Sequence, residues 1–211
     1  MKYKVVLFDA DGVTINHSTM FSDELETDYG ITKATTHDFF YCIFQHCMIG
    51  KADLKEELAK VVGPWGWNGT VDELVAYWFS KGDEFDRQIV DLVGRLRTDG
   101  IRCFLATNQE KYRGEYLRER LAGVFEDVLV SADLGHKKNE PEYFEAAFER
   151  VRESAGNDKG SVLFVDDDER NVDVARAFGI DAMVYRTFAD VEGRPEFAVY
   201  LAERNVEGKR V

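Results

Sequence analysis

An α/β fold built on a parallel sheet is predicted by three features of this sequence. Short β-type apolar runs recur along the chain, and longer stretches with helical spacing separate them. The runs are also apolar throughout rather than alternating, as in strands covered on both faces. The first is Val5-Val6-Leu7-Phe8, which ends in acid at Asp9. From about 16 to 84 the pattern changes to aromatic and helical, through Phe39, Phe40, Tyr41 and Phe44, then Leu54, Leu58, Val61 and Val62, then Leu74, Val75, Trp78 and Phe79. No strand is expected there, and Gly63 to Gly69 reads as a loop by its punctuation. Phe85 to Thr98 carries apolar residues at 85, 89, 92, 93 and 96 and is stopped by Gly100, which predicts a helix. The second and third strands are expected at Cys103–Ala106 and Val128–Val130. Pro141 to Val151 reads as a helix with proline in its first turn. Val162–Val165 is the fourth strand, Asn171–Phe178 a helix closed by Gly179, and Ala182–Tyr185 the fifth strand.

The chain has 211 residues, which at about 150 residues per domain predicts one core with a smaller unit attached. The expected organisation is an open, Rossmann-like sheet over 1–15 and 85–211, with a small α-helical cap over 16–84. The formal charge of −13 excludes a general binder of phosphate backbones or anionic membranes, so neither nucleic acid nor membrane is an expected partner. No run of 18 apolar residues and no signal peptide is visible, and Cys42, Cys47 and Cys103 cannot all pair. A cytoplasmic protein is expected, as a monomer or homodimer.

In open parallel sheets ligands bind at the carboxyl ends of the strands. There the sequence places Asp9-Ala10-Asp11-Gly12-Val13, Thr107-Asn108, His136-Lys137-Lys138 and Asp166-Asp167-Asp168. Four carboxylates gathered within a few ångströms repel one another unless a cation neutralises them. An all-oxygen site with room for water suits magnesium together with a substrate phosphate. A lysine and the Thr107 hydroxyl can hold phosphoryl oxygens. One aspartate can attack phosphorus, and a second, two residues on, can move the proton. Gly12 permits the turn that lets both acids face one centre.

At these residues the sequence resembles the haloacid dehalogenase-like hydrolase superfamily, all four of whose motifs occur in order. They are Asp9 to Val13, Thr107-Asn108 after a strand, Lys138 ahead of Pro141-Glu142-Tyr143-Phe144, and Asp166-Asp167-Asp168 with Asn171 downstream. A helical insert between the first two motifs is similar to the small-cap subclass. The resemblance implies Asp9 as nucleophile and Asp11 as general acid/base. It implies Mg2+ held by Asp9, the Asp11 carbonyl, Asp166 and Asp167, and a phosphoryl group bound by Thr107, Asn108 and Lys138. Asn139 stands where the family commonly has proline, so Lys137 remains an alternative to Lys138. Lys51, on the loop between cap helices, is a candidate for substrate selection.

The activity so implied is a Mg-dependent phosphatase acting on a small phosphorylated metabolite. Asp11 argues against the superfamily's dehalogenases and phosphonatases, which lack an acid there. A phosphomutase of the β-phosphoglucomutase type is the second reading, and a catalytically silent phospho-ligand or protein-binding module the third. Cys42, His46 and Cys47, and Trp65, Trp67 and Trp78, are read as packing, and His136 as a loop histidine.

Overall fold

The computed structural model describes residues 2–16, 19–81 and 84–202; the remainder of the expected core, 203–211, lies outside them. Five parallel strands form one sheet: β1 (Val5–Asp9), β2 (Arg102–Thr107), β3 (Val128–Val130), β4 (Val162–Asp166) and β5 (Asp181–Val184), in the order β3-β2-β1-β4-β5. The order reverses between β1 and β4, the point where doubly wound sheets open a crevice for ligands.

Between β1 and β2 lie the helices α1 (Phe21–Tyr29), α2 (Lys33–Asp38), α3 (Phe44–Cys47), α4 (Leu54–Val61), α5 (Val71–Lys81) and α6 (Arg87–Thr98). A π-helical turn at Phe39–Ile43 joins α2 to α3. The later helices are α7 (Lys111–Arg120), α8 (Ser131–Leu134), α9 (Pro141–Val151), α10 (Glu169–Phe178), α11 (Phe188–Glu192) and α12 (Ala198–Ala202). No helix among the described residues is long and apolar enough to cross a membrane.

Alternation along the strands divides the core. Val6 and Phe8 pack with Ile89, Leu92, Val93 and Leu96 of α6 and Leu117 of α7. Val5 and Leu7 face the opposite way, onto Tyr143, Phe144, Ala147 and Val151 of α9 and Val172 and Ala175 of α10. Burial of each large side chain contributes about 1.5–3 kcal/mol, which explains why the strands are apolar on both sides. The helices of 21–81 build a third cluster around Leu25, Phe39, Leu58, Trp65 and Leu74. Trp78 stacks on Phe21 there, with ring centroids 4.6 Å apart. The stretches that lead into and out of this segment are bonded to each other: Asn16 N–H donates to Glu84 O at 2.9 Å, and Asp86 N–H to Thr14 O at 2.8 Å.

The predicted strands and helices recur within a residue or two; α10 starts two residues early, at Glu169, because Asp168 caps it, accepting from Arg170 N–H. Helix α7 has no counterpart in the sequence reading. Its residues KYRGEYLRER carry hardly any apolar stripe, and helical periodicity is invisible without one.

Candidate active site

Strand register assembles the site. In the β1–β4 pairing Val5 lies opposite Val162 and Phe8 opposite Val165, so the next residues, Asp9 and Asp166, end adjacent strands side by side. Both follow the alternation of Leu7 and Phe164, so both point to the α9 face. Neighbouring strands are about 4.8 Å apart, and at that spacing two carboxylates repel unless something stands between them. That something is Lys138, from the loop before α9. Its ammonium pairs with Asp9 Oδ1 and, at 2.8 Å, with Asp166 Oδ2; its side chain is only 3% exposed. The loop is held by Asn108, whose side-chain oxygen accepts from Lys138 N–H at 2.9 Å.

The two acids are tied further. Asp9 Oδ1 accepts from Ala10 N–H at 2.6 Å, and Asp166 Oδ1 from Asp168 N–H at 2.8 Å and from the Asn171 amide at 3.1 Å. Asp167, more open to solvent, completes a group in which one oxygen from each of Asp9, Asp166 and Asp167 lies within 4.8 Å of the others. Three carboxylates against one ammonium leave two negative charges. A hard divalent cation with oxygen ligands fits that donor set.

The remaining strand ends contribute less symmetrically. Thr107, at the end of β2, is 1% exposed, and its hydroxyl has no hydrogen-bond partner. Such a buried orphan costs roughly 1–3 kcal/mol. Gly12 has φ +85°, and a Cβ there would stand 2.3 Å from Asp167 Oδ2; glycine is required both for the turn and for the approach of Asp167. Asp11 immediately precedes Gly12, and its Oδ2 accepts from Gln109 Nε2 at 2.6 Å.

Burial pushes the Asp9 carboxyl well above the usual carboxylate range, while the Lys138 charge pulls it back and Asp166 adds to the rise. For Lys138 burial acts downward, but Asp9 and Asp166 outweigh it and hold the ammonium protonated far above neutrality. Asp167 is raised by burial and then by the neighbouring Asp166 charge. The neighbouring negative charge is thus felt at both Asp9 and Asp167.

Asp9, Asp166, Asp167 and Lys138 therefore come together, with Asn108 supporting the lysine. Lys137 does not enter the group; its ammonium reaches Gln45 Oε1 at 3.0 Å, on the helical segment. Lys51 stands apart as well. It is exposed and lines a cavity of about 200 Å³ with Gly50, Asp53, Glu110 and Lys111. His136 faces Glu140 at 3.2 Å. Cys42, His46 and Cys47 form no metal-ligand group among the described residues.

Sequence reading missed how the helical segment meets the sheet. The Met48 carbonyl accepts from the Ser131 hydroxyl at 2.6 Å. Gly50, at φ +70°, lies so close to Ala132 that a Cβ would be 2.4 Å from its carbonyl oxygen. Asp53, which caps α4, accepts from Tyr112 OH at 2.9 Å and pairs with Lys111. Gln109 and Glu110 directly follow Thr107-Asn108, but no spacing or motif marks the contacts that they make, to Asp11 and to the start of α7.

A family model of the haloacid dehalogenase-like hydrolases matches residues 3–179. Among solved structures, HAD family enzyme BT-2542 from Bacteroides thetaiotaomicron, in complex with magnesium and inorganic phosphate, superposes with a TM-score of 0.71. The two share 24% identity over 86% of this chain and 93% of that one. A predicted HAD-like family hydrolase from Porphyromonas gingivalis gives 0.68 at 18% identity, covering 100% of both chains. An L-2-haloacid dehalogenase from Xanthobacter autotrophicus, with chloropropionic acid covalently bound, gives 0.61 at 20%, over 99% of this chain and 84% of that one. No curated protein sequence matches. At such identities the superpositions speak for the fold alone. The family match spans the strand ends that carry the acids and the lysine, and by it this chain belongs to the haloacid dehalogenase-like hydrolases.

Proposed function

We propose that this protein is a magnesium-dependent phosphatase that hydrolyses a small phosphorylated metabolite through an aspartyl-phosphate on Asp9. The observation that carries this reading is the buried Lys138 between Asp9 and Asp166, together with a partnerless Thr107 hydroxyl at the end of the neighbouring strand β2. A phosphoryl group brings the acceptor oxygens that such a hydroxyl and ammonium would bind. Asp9, Asp166 and Asp167, with the Asp11 carbonyl, would hold Mg2+, which when bound neutralises charge on the acids and on the phosphoryl oxygens. In BT-2542 magnesium and phosphate are present together, which supports the pairing here.

The chain's own residues then divide the chemistry. Asp9 Oδ1 is occupied by Ala10 N–H and Lys138, and Oδ2 is the oxygen left to attack phosphorus. As the new P–O bond forms, the ester P–O bond breaks and Asp11 gives its proton to the departing alkoxide. Asp11 then takes a proton from water, whose oxygen attacks phosphorus; the bond to Asp9 breaks, releasing inorganic phosphate and restoring the carboxylate. Lys138 and Thr107 stabilise the phosphoryl oxygens as charge gathers on them. The helical segment 16–84 acts as a cap that closes over the substrate and excludes water, with Lys51 at its edge as a selector. Three unpaired cysteines suit a reducing cytoplasm.

A dehalogenase shares this fold, but a halide departs as an anion and needs no proton, so Asp11 favours an ester. The test is phosphate release from p-nitrophenyl phosphate and a panel of metabolite phosphates. Turnover is expected only with magnesium and falls by at least 100-fold in Asp9→Asn and, less completely, in Asp11→Asn. Halide release from 2-chloropropionate, dependence on a bisphosphate primer, or silence across the panel would replace the phosphatase with the dehalogenase, the mutase or a binding module in turn.

A further inference from the structure

Asp11 does not stand alone, and the group that holds it leads back to the helical segment. Gln109 Nε2 donates to Asp11 Oδ2 at 2.6 Å. The main-chain carbonyl of Gln109 in turn lies 3.1 Å from the Ser131 hydroxyl and accepts from Ala132 N–H at 3.2 Å. The same Ser131 hydroxyl reaches the Met48 carbonyl at 2.6 Å. Gly50 sits in van der Waals contact with Ala132, at a position where no other residue fits. One buried hydroxyl, on a fully buried serine, is thus shared between the turn at 48–50 and the backbone that carries Gln109.

We propose that Gln109 is the positioning residue for Asp11, and that Ser131 links its placement to docking of the 48–50 turn. The inference rests on the phosphatase reading and deepens it. A carboxylic acid transfers a proton efficiently only within hydrogen-bond reach and in the right orientation. An aspartate side chain has two torsions, and an amide donor on one of its oxygens restricts the rotamers that it can adopt. Gln109 itself touches neither phosphorus nor the leaving oxygen. Its contribution passes entirely through Asp11, and the Ser131 link makes that contribution largest when the helical segment is docked.

A purely structural glutamine and a positioning one differ in how the loss depends on the leaving group. Kcat/KM is compared for phenyl phosphate, whose phenolate leaves poorly without a proton, and 2,4-dinitrophenyl phosphate, whose phenolate needs none. For Gln109→Met, kcat/KM is expected to fall about 10- to 100-fold on phenyl phosphate and less than about 3-fold on the dinitrophenyl ester. Ser131→Ala should show the same asymmetry at smaller size, and serves if Gln109→Met fails to melt like wild type. In Asp11→Asn the further Gln109→Met change should add no loss on phenyl phosphate, since both act on one proton transfer. Equal losses on the two esters, or additive losses in the double variant, overturn the inference while the wild-type and Asp11→Asn rates uphold the phosphatase. Wild type inactive on both esters overturns the phosphatase reading and this inference with it.

Discussion

Thr107 shows most directly how a residue can be costly to the fold and useful to the site. Its hydroxyl is buried without a partner, so replacing it by the isosteric, apolar valine removes a desolvation penalty rather than a bond. Thr107→Val is expected to leave stability unchanged or raise it by about 1 kcal/mol, measured by thermal or denaturant melting. Under the phosphatase reading the same change lowers kcat/KM by roughly 10- to 100-fold, the worth of a hydrogen bond to a charged group. A threonine that mattered only structurally would lose stability and activity together. Lys138 belongs to the same scale: it is sandwiched between two buried carboxylates 129 and 28 residues away in sequence. Sequence reading selected Lys138 by its distance from Pro141, but left Lys137 open, because neighbouring lysines look alike until a backbone directs them. The Asn108 bond to Lys138 N–H is what aims the one inward, while Lys137 is left to Gln45.

At the level of elements, α7 combines a sequence signal that is absent with a structural one that is strong. Its N-cap is Glu110, 2% exposed, whose carboxylate accepts from Tyr112 and Arg113 N–H at 2.8 and 2.6 Å. Burial outweighs those bonds and pushes its pKa up to about 7 from an ordinary 4.5. The native state therefore holds this proton more tightly than the unfolded chain does, and stability declines as pH rises from about 4.5 to 7. At about 1.4 kcal/mol per pH unit, the decline from this one group is at most about 3 kcal/mol. Glu110→Gln keeps an accepting oxygen for the cap and removes the titration. In urea melts across this range wild type should lose stability relative to the variant as pH rises from about 5 to 7, by at most about 3 kcal/mol; parallel curves would dissociate Glu110 from the pH dependence. The cap itself was hidden from sequence reading because glutamate is an uncommon N-cap and α7 lacks a stripe to mark where it begins.

On the scale of the molecule, the site is a property of the sheet. Asp9 and Asp166 meet because β1 and β4 pair in that register, and Asp167 reaches them because Gly12 leaves room. A cation bound there stabilises the whole fold by mass action, about 2.7 kcal/mol at a concentration 100 times its Kd. For a chain of this size that is a rise in Tm of roughly 5–10 °C. Calorimetry with increasing magnesium should show this rise in wild type and lose most of it in Asp166→Asn. An equal rise in both would move the cation elsewhere, to the acidic surface that a charge of −13 creates.

The sequence by itself determined the fold class, the five strands and the strand-end acids, because apolar runs and the residues that terminate them are local, periodic signals. It also marked off the aromatic helical stretch between the first two strands. Tertiary structure alone decided which lysine enters the acid group, that Thr107 has no partner, that Gln109 holds Asp11, and that Ser131 touches Met48. Those are contacts between residues tens to more than a hundred positions apart. Their geometry depends on strand register, helix placement and the close approach permitted by Gly12 and Gly50, none of which leaves a periodic trace in the chain.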